Sequence, residues 1–248
     1  MPRQKKLTQK AKGNNFIHSR PQSRTLKGAD KALPRSINPA HAPDSNPRIV
    51  EGFIKFLGTA GARFVMIKQL RASGGIWIRA AGTNILIDPG PGSIVRCAHA
   101  RPKLDPSCLD AIILTHRHLD HSNDVNVMIE AMTEGGFKKR GCLFAPSDAL
   151  GEDALILPHI RHYVASIEVL KEKTQYAIGA FTFTTGPRNA HPVETYGLKF
   201  TINGKSIGLI GDTAVYPEMF DFYRSDILIL NIVFYEPRPA VQHLSFQD

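Results

Sequence analysis

The sequence predicts an α/β fold, and three observations carry that expectation. A short continuous apolar run, residues 111–115 (AIILT), stands directly before a stretch whose apolar residues have helical spacing. Several other short apolar runs are bounded by glycine, proline and aspartate, the punctuation typical of strands. Asn203-Gly204 separates two further runs and is the strongest short-range signal for a two-residue hairpin.

Taken in order, residues 52–58 (GFIKFLG), 63–70, 75–80 (GIWIRA) and 84–88 (NILID) read as strands. Residues 111–115 fit a strand buried on both faces. Residues 121–132 suit a helix that sets Val125, Met128, Ile129 and Met132 on one face. Residues 195–202 and 205–210 form the two arms of the hairpin, and 226–231 (DILILN) is a further buried strand. The body contains no clear internal repeat and no low-complexity tract.

With 248 residues, 42% hydrophobic and 21% charged, the chain can bury a sizeable core without covalent staples. Its net charge of +9 is unevenly placed. Residues 1–50 hold 11 Lys/Arg against Asp30 and Asp44, which leaves 20 basic and 20 acidic residues in the rest. The body therefore has no net positive charge with which to track DNA. Residues 1–48, rich in proline, lysine and serine and poor in large apolar groups, are expected to be a disordered basic tail. Such a tail offers at most a weak RNA contact. Residues 49–248 form the folded domain.

No apolar run approaches the ~18 residues of a membrane-spanning helix, and no apolar segment of secretory type opens the sequence. Cys97, Cys108 and Cys142 are odd in number and form no CxxC pair, which points away from disulfides and toward the cytoplasm. At the other end, Ser245-Phe246-Gln247-Asp248 has the S-x-x-D form of a capping box that opens a helix. The expectation is that a helix starts here and that the domain is incomplete at its C-terminus.

Chemistry concentrates in Thr115-His116-Arg117-His118-Leu119-Asp120-His121, where four metal-ligating side chains fall within six residues after a buried strand. Imidazole and carboxylate together suit zinc or a similar transition metal better than calcium or magnesium. His159 and His162 fit a surface role, and Gly58-Thr59-Ala60-Gly61 a tight turn.

The pattern His116-x-His118-x-Asp120-His121 after a short apolar strand resembles the signature of the metallo-β-lactamase-fold hydrolases. Four more matches follow that family's motifs in its order: Asp88 closing NILID, His191 in RNAHP, Asp212 in IGDT and His243 in HLS. The resemblance implies an αββα sandwich and two divalent metal ions, zinc or alternatively manganese. By the same resemblance His116, His118 and His191 hold one metal; Asp120, His121 and His243 hold the second; and Asp212 bridges both. Asp88 orients the ligand loop, and Asp120 is the catalytic residue that aims the attacking hydroxide. The oxygen-reducing di-iron members of the fold carry Glu where this chain has His118, so hydrolysis is implied over redox chemistry.

Phe56-Leu57-Gly58-Thr59-Ala60-Gly61 and the closing His243-Leu244-Ser245 look like the phosphodiesterase and tRNA-processing branch. Metal-bound hydroxide attacking a small or cyclic nucleotide-like phosphodiester is the activity this implies. A lactone or thioester hydrolase of the same fold is the first alternative, and an RNA-associated protein acting through its basic tail is the second. An anionic substrate needs cationic donors, for which Arg63, Arg96, Arg161 and Arg188 are candidates. The tRNA-processing enzymes usually carry His-Glu-Ala-Thr after the strand that follows the bridging Asp; here that stretch is Leu230-Asn231-Ile232-Val233-Phe234, without the Glu. An incomplete C-terminus would leave His243 poorly held, so one metal is expected to bind more tightly than the other.

Overall fold

The structure, a computed structural model, describes residues 52–238 and 240–248. The basic tail and its RNA contact lie outside the described residues.

A six-stranded sheet runs in the order β1 (Phe53–Phe56), β2 (Ile76–Ala80), β3 (Thr83–Ile87), β4 (Ala111–Ile113), β5 (Cys142–Ala145), β6 (Ser166–Val169). Its first three strands are antiparallel, and β3 to β6 are parallel. The parallel half needs crossovers, and these carry α2 (Ser93–His99), α3 (Leu119–Ser122) and α4 (Val125–Met132). A second sheet runs in the order β11 (Ile227–Leu230), β10 (Lys205–Ile210), β9 (Tyr196–Ile202), β8 (Phe181–Arg188), β7 (Gln175–Ile178). The short strands β12 (Ile232–Phe234) and β13 (Leu244–Ser245) pair with each other.

Burial divides the molecule into layers. Ile112, Leu86 and Leu143 point outward from the first sheet and pack on Cys97, Met128, Ile129 and Met132 of α2 and α4. Ile85, Ile113 and Phe144 point inward and meet Phe183, Leu198 and Leu209 of the second sheet. On the far side, α5 (Glu218–Phe222) brings Met219 against Ile210 and Leu244. The arrangement is the expected αββα sandwich, and β4 is buried on both faces.

The hairpin forms as its sequence requires. Ile202 faces Lys205 across β9 and β10, and Asn203 and Gly204 take φ of 50° and 74°, both in the left-handed region that a type I′ turn needs.

Three expectations need correction. Residues 63–70 are not a strand: they hold a one-turn helix, α1 (Arg63–Ile67). Thr59 and Ala60 both donate to the Ala72 carbonyl, at 2.9 and 3.0 Å, so residues 61–71 leave the sheet as a closed excursion with no strand alongside. Their backbone groups must be satisfied locally, as in Met66 N–H to Ala62 O at 3.0 Å.

The helix expected over 121–132 is two helices, α3 and α4, although Val125, Met128, Ile129 and Met132 are all buried as expected. Asp124 N–H donates to Pro89 O at 2.8 Å instead of continuing the helical ladder. A Cβ on Gly90 would stand 2.2 Å from the Asp120 carbonyl oxygen, so only glycine lets the loop after β3 lie this close.

The run 226–231 does form a strand, β11, but an exposed one: Ile227, Leu228 and Leu230 are 47%, 49% and 39% exposed. Among the described residues it is an edge, paired on one side only with β10. The capping-box contacts of Ser245 are made within the last residues: its N–H donates to Asp248 Oδ2 at 2.7 Å, and its Oγ accepts from Gln247 N–H at 3.2 Å.

Candidate metal centre

Strand ends build the site. After β3 the chain places Asp88, after β4 the loop from Thr115 to His121, after β8 His191, after β10 Asp212 and after β11 Asn231. The carboxyl ends of strands are where an α/β sheet leaves room for a ligand.

Asp88 adopts φ of 49°, a strained conformation for a residue with a side chain. Its carboxylate is fully engaged: Oδ1 accepts from Thr115 N–H at 2.7 Å, and Oδ2 from Thr115 Oγ1 at 2.6 Å and His121 Nδ1 at 3.1 Å. Asp88 thus ties the first residue of the ligand loop to the last. The bond to Nδ1 fixes the His121 ring with Nε2 directed inward. Thr115 Oγ1 lies 3.1 Å from His116 Nδ1, and Gln242 O lies 3.1 Å from His191 Nδ1, so these rings also present Nε2.

The inward-facing atoms converge on Asp212, which is 2% exposed. Its Oδ2 lies 3.6 Å from His116 Nε2, 3.9 Å from His191 Nε2 and 3.8 Å from His243 Nδ1. Its Oδ1 lies 3.4 Å from His121 Nε2. His118 Nδ1 lies 3.1 Å from His191 Nε2. Two sets of ligand atoms fall within metal-binding reach around this carboxylate: His116, His118, His191 and Asp212 in one, Asp120, His121 and Asp212 in the other. Asp88 also forms a group with His116 and His121, but its oxygens are already taken by the bonds above. His243 touches the shared carboxylate yet stands outside all three groups.

At His118, His191 and Asp212 the electrostatics suits cation binding. Burial, then the neighbouring His116, pushes His118 down to about 4. Burial does the same to His191, also to about 4. Both rings are neutral at pH 7 and have no proton to surrender to a metal. Burial alone would raise Asp212, but His116 and His121 facing it outweigh that and hold it well below the carboxylate range. Burial works against the charge on His121 as well; Asp212 and Asp88 overcome it and raise its pKa.

The fit to a metal is best judged by orphaned atoms. Among the described residues, His116 Nε2, His121 Nε2 and His243 Nδ1 are buried without a hydrogen-bond partner, which costs about 1–3 kcal/mol each. All three face the Asp212 carboxylate; cations in the two ligand groups would satisfy His116 and His121, and His243 stands beside them.

Of the candidate cationic donors, Arg63 at the start of α1 is near enough for its charge to help depress His118. Arg161 donates through Nε to the Ile156 carbonyl at 3.0 Å, and among the described residues its Nη2 has no partner. Arg188 is exposed at the end of β8, and Arg96 lies on α2. Sequence reasoning missed Asn189, whose Nδ2 donates to the Asp212 carbonyl at 3.1 Å and whose Oδ1 accepts from Tyr216 Oη at 3.1 Å. It also assigned no role to Asn231. The available signal was a polar residue closing an apolar run.

Residues 83–248 match the family model of the β-lactamase superfamily domain. The chain is 31% identical over 204 residues to the protein MJ1374 of Methanocaldococcus jannaschii, covering 79% of this chain and 74% of that one. It is 29% identical over 147 residues to a ribonuclease Z of Kineococcus radiotolerans, covering 58% of this chain but only 45% of the enzyme. Among solved structures it is similar to the metallo-β-lactamase-fold protein YhfI from Bacillus subtilis, with a TM-score of 0.64, 20% identity and coverage of 79% and 78%.

Proposed function

Because the chain belongs to the β-lactamase superfamily and has the metallo-β-lactamase fold, we propose that it is a dinuclear metal-dependent hydrolase of small, nucleotide-like phosphodiesters. The observation that carries this reading is the set of buried, unpartnered histidine nitrogens around Asp212. The donor types favour zinc, with manganese as the alternative.

His116, His118 and His191 would hold one cation and Asp120, His121 and His243 the other, with Asp212 between them. When bound, such a pair supplies Lewis acidity that polarises a phosphoryl oxygen and makes water acidic enough to attack at neutral pH. Asp120, 8% exposed and with Oδ2 3.9 Å from His121 Nε2, accepts a hydrogen bond from the attacking water and sets its direction. Asp88 keeps Thr115 and His121 in register with each other. Arg63 supplies positive charge beside His118, where the anionic substrate approaches. The partial likeness to a ribonuclease Z supports a phosphodiester over an acyl substrate. No described helix is long and apolar enough to cross a membrane, and the three free cysteines suit a reducing compartment.

The test is hydrolysis of bis(p-nitrophenyl) phosphate by zinc- or manganese-loaded protein, with Asp120→Ala as the blank. Turnover that falls to background in the variant is expected, a loss of at least about 10²-fold. Absence of turnover in folded, metal-loaded protein overturns the phosphodiester assignment and moves the substrate to lactones or thioesters.

A further inference from the structure

Beyond the ligand set, we infer that Asn231 is a positioning residue that fixes the carboxylate of Asp212, and that Gly61 keeps Asn231 in place; this rests on the metal-centre reading above. Asn231 follows β11, and its backbone N–H donates to Ile210 O at 3.2 Å. That bond docks it beside β10, two residues before Asp212. Its side-chain amide then donates twice: to Asp212 Oδ1, and to Gly61 O at 2.6 Å.

The oxygen it contacts matters. Oδ1 faces His121, whereas Oδ2 faces His116, His191 and His243. An aspartate carboxylate rotates in a broad, roughly two-fold well, so nothing intrinsic to Asp212 fixes the plane that turns one oxygen toward His121 and the other toward His116, His191 and His243. The amide of Asn231, donating to one of those oxygens, holds that plane. A neutral donor is also the right chemistry for a place beside two cations. Lysine or arginine there would repel the metals, and a carboxylate would compete with Asp212 for them.

Gly61 makes the arrangement possible through close approach. A Cβ added at residue 61 would stand 2.0 Å from Asn231 Oδ1 and 2.7 Å from its Cγ. Any side chain there must displace the carboxamide, and with it the bond to Asp212. Gly61 belongs to the turn Gly58-Thr59-Ala60-Gly61, which is thus built to receive Asn231.

Two substitutions break the same contact from opposite sides, Asn231→Leu and Gly61→Ala. Zinc affinity of the full chain is measured by competition with a fluorescent chelator, alongside thermal unfolding of the metal-free proteins. Each single variant is expected to bind zinc roughly 10–100-fold more weakly, the usual consequence of losing a residue that orients a ligand. The double variant is expected to fall no further than the weaker single one, since both remove one interaction. Unfolding temperatures of the metal-free chains are expected to stay within about 4 °C of wild type. Unchanged zinc affinity in both variants, with wild type binding zinc, overturns the role of Asn231 alone. Losses that add in the double variant overturn the link between Gly61 and Asn231. Failure of the wild-type chain to take up zinc or manganese overturns the metal-centre reading, and this inference with it.

Discussion

Strands β4 and β11 are built from nearly the same words. One reads Asp110-Ala-Ile-Ile-Leu-Thr115 and the other Asp226-Ile-Leu-Ile-Leu-Asn231. In both, the leading aspartate accepts from the amide of an adjacent strand: Asp110 Oδ2 from Asn84 N–H at 2.9 Å, and Asp226 Oδ2 from Ser206 N–H at 2.8 Å. In both, the closing polar residue enters the metal centre, Thr115 beneath Asp88 and Asn231 against Asp212. Their surroundings differ completely. β4 lies between β3 and β5 with side chains buried on both faces, while among the described residues β11 pairs only with β10 and exposes most of its side chains. An apolar run of this kind therefore specifies a strand and its polar terminus, whereas burial comes from place in the sheet.

The difference can be tested directly. Ile112→Ala removes a fully buried side chain from the layer between the first sheet and its helices and should cost about 2–5 kcal/mol in denaturant unfolding. A cost under about 1 kcal/mol would mean that β4 is less enclosed than its contacts imply. Cys97 probes the same layer without disturbing it. Burial first, and then the charge of Asp124, push its thiol up to about 12. Because the shift is upward, thiolate appears only as pH rises, and at pH 8 it is about one part in 10⁴. Exposed Cys108 should therefore be alkylated by brief iodoacetamide treatment while Cys97 stays unmodified until the protein unfolds, as peptide mass mapping would report. Equal labelling of both would contradict a closed layer. The smallest effect belongs to β11: Leu228→Ser should change stability by no more than about 0.5 kcal/mol, and a loss of several kcal/mol would show that something covers this edge in solution.

The ligand loop was legible because its residues are adjacent in sequence. Four ligating types within six residues after a buried strand can hardly mean anything but a polar focus, and the structure gathers His116, His118, Asp120 and His121 there with His191 and Asp212. The hairpin was legible for the same local reason, since Asn203-Gly204 takes the left-handed backbone the turn requires. Residues 63–70 were misread because apolar residues that include the β-branched Val65 and Ile67 favour a strand only where another strand offers hydrogen bonds. Asn231 was invisible as a participant because its partners Gly61 and Asp212 lie 170 and 19 positions away.

The sequence by itself determined the α/β alternation, the hairpin, the metal-ligating types and the order in which they enter. These depend on spacing along the chain, on side-chain chemistry and on local backbone preference. Tertiary structure alone decided that β11 is an edge, that residues 63–67 coil into a helix, and how the Asp212 carboxylate is turned between its histidines. Each of those depends on what stands beside a residue once distant strands have paired, and pairing partners are a property of the folded chain.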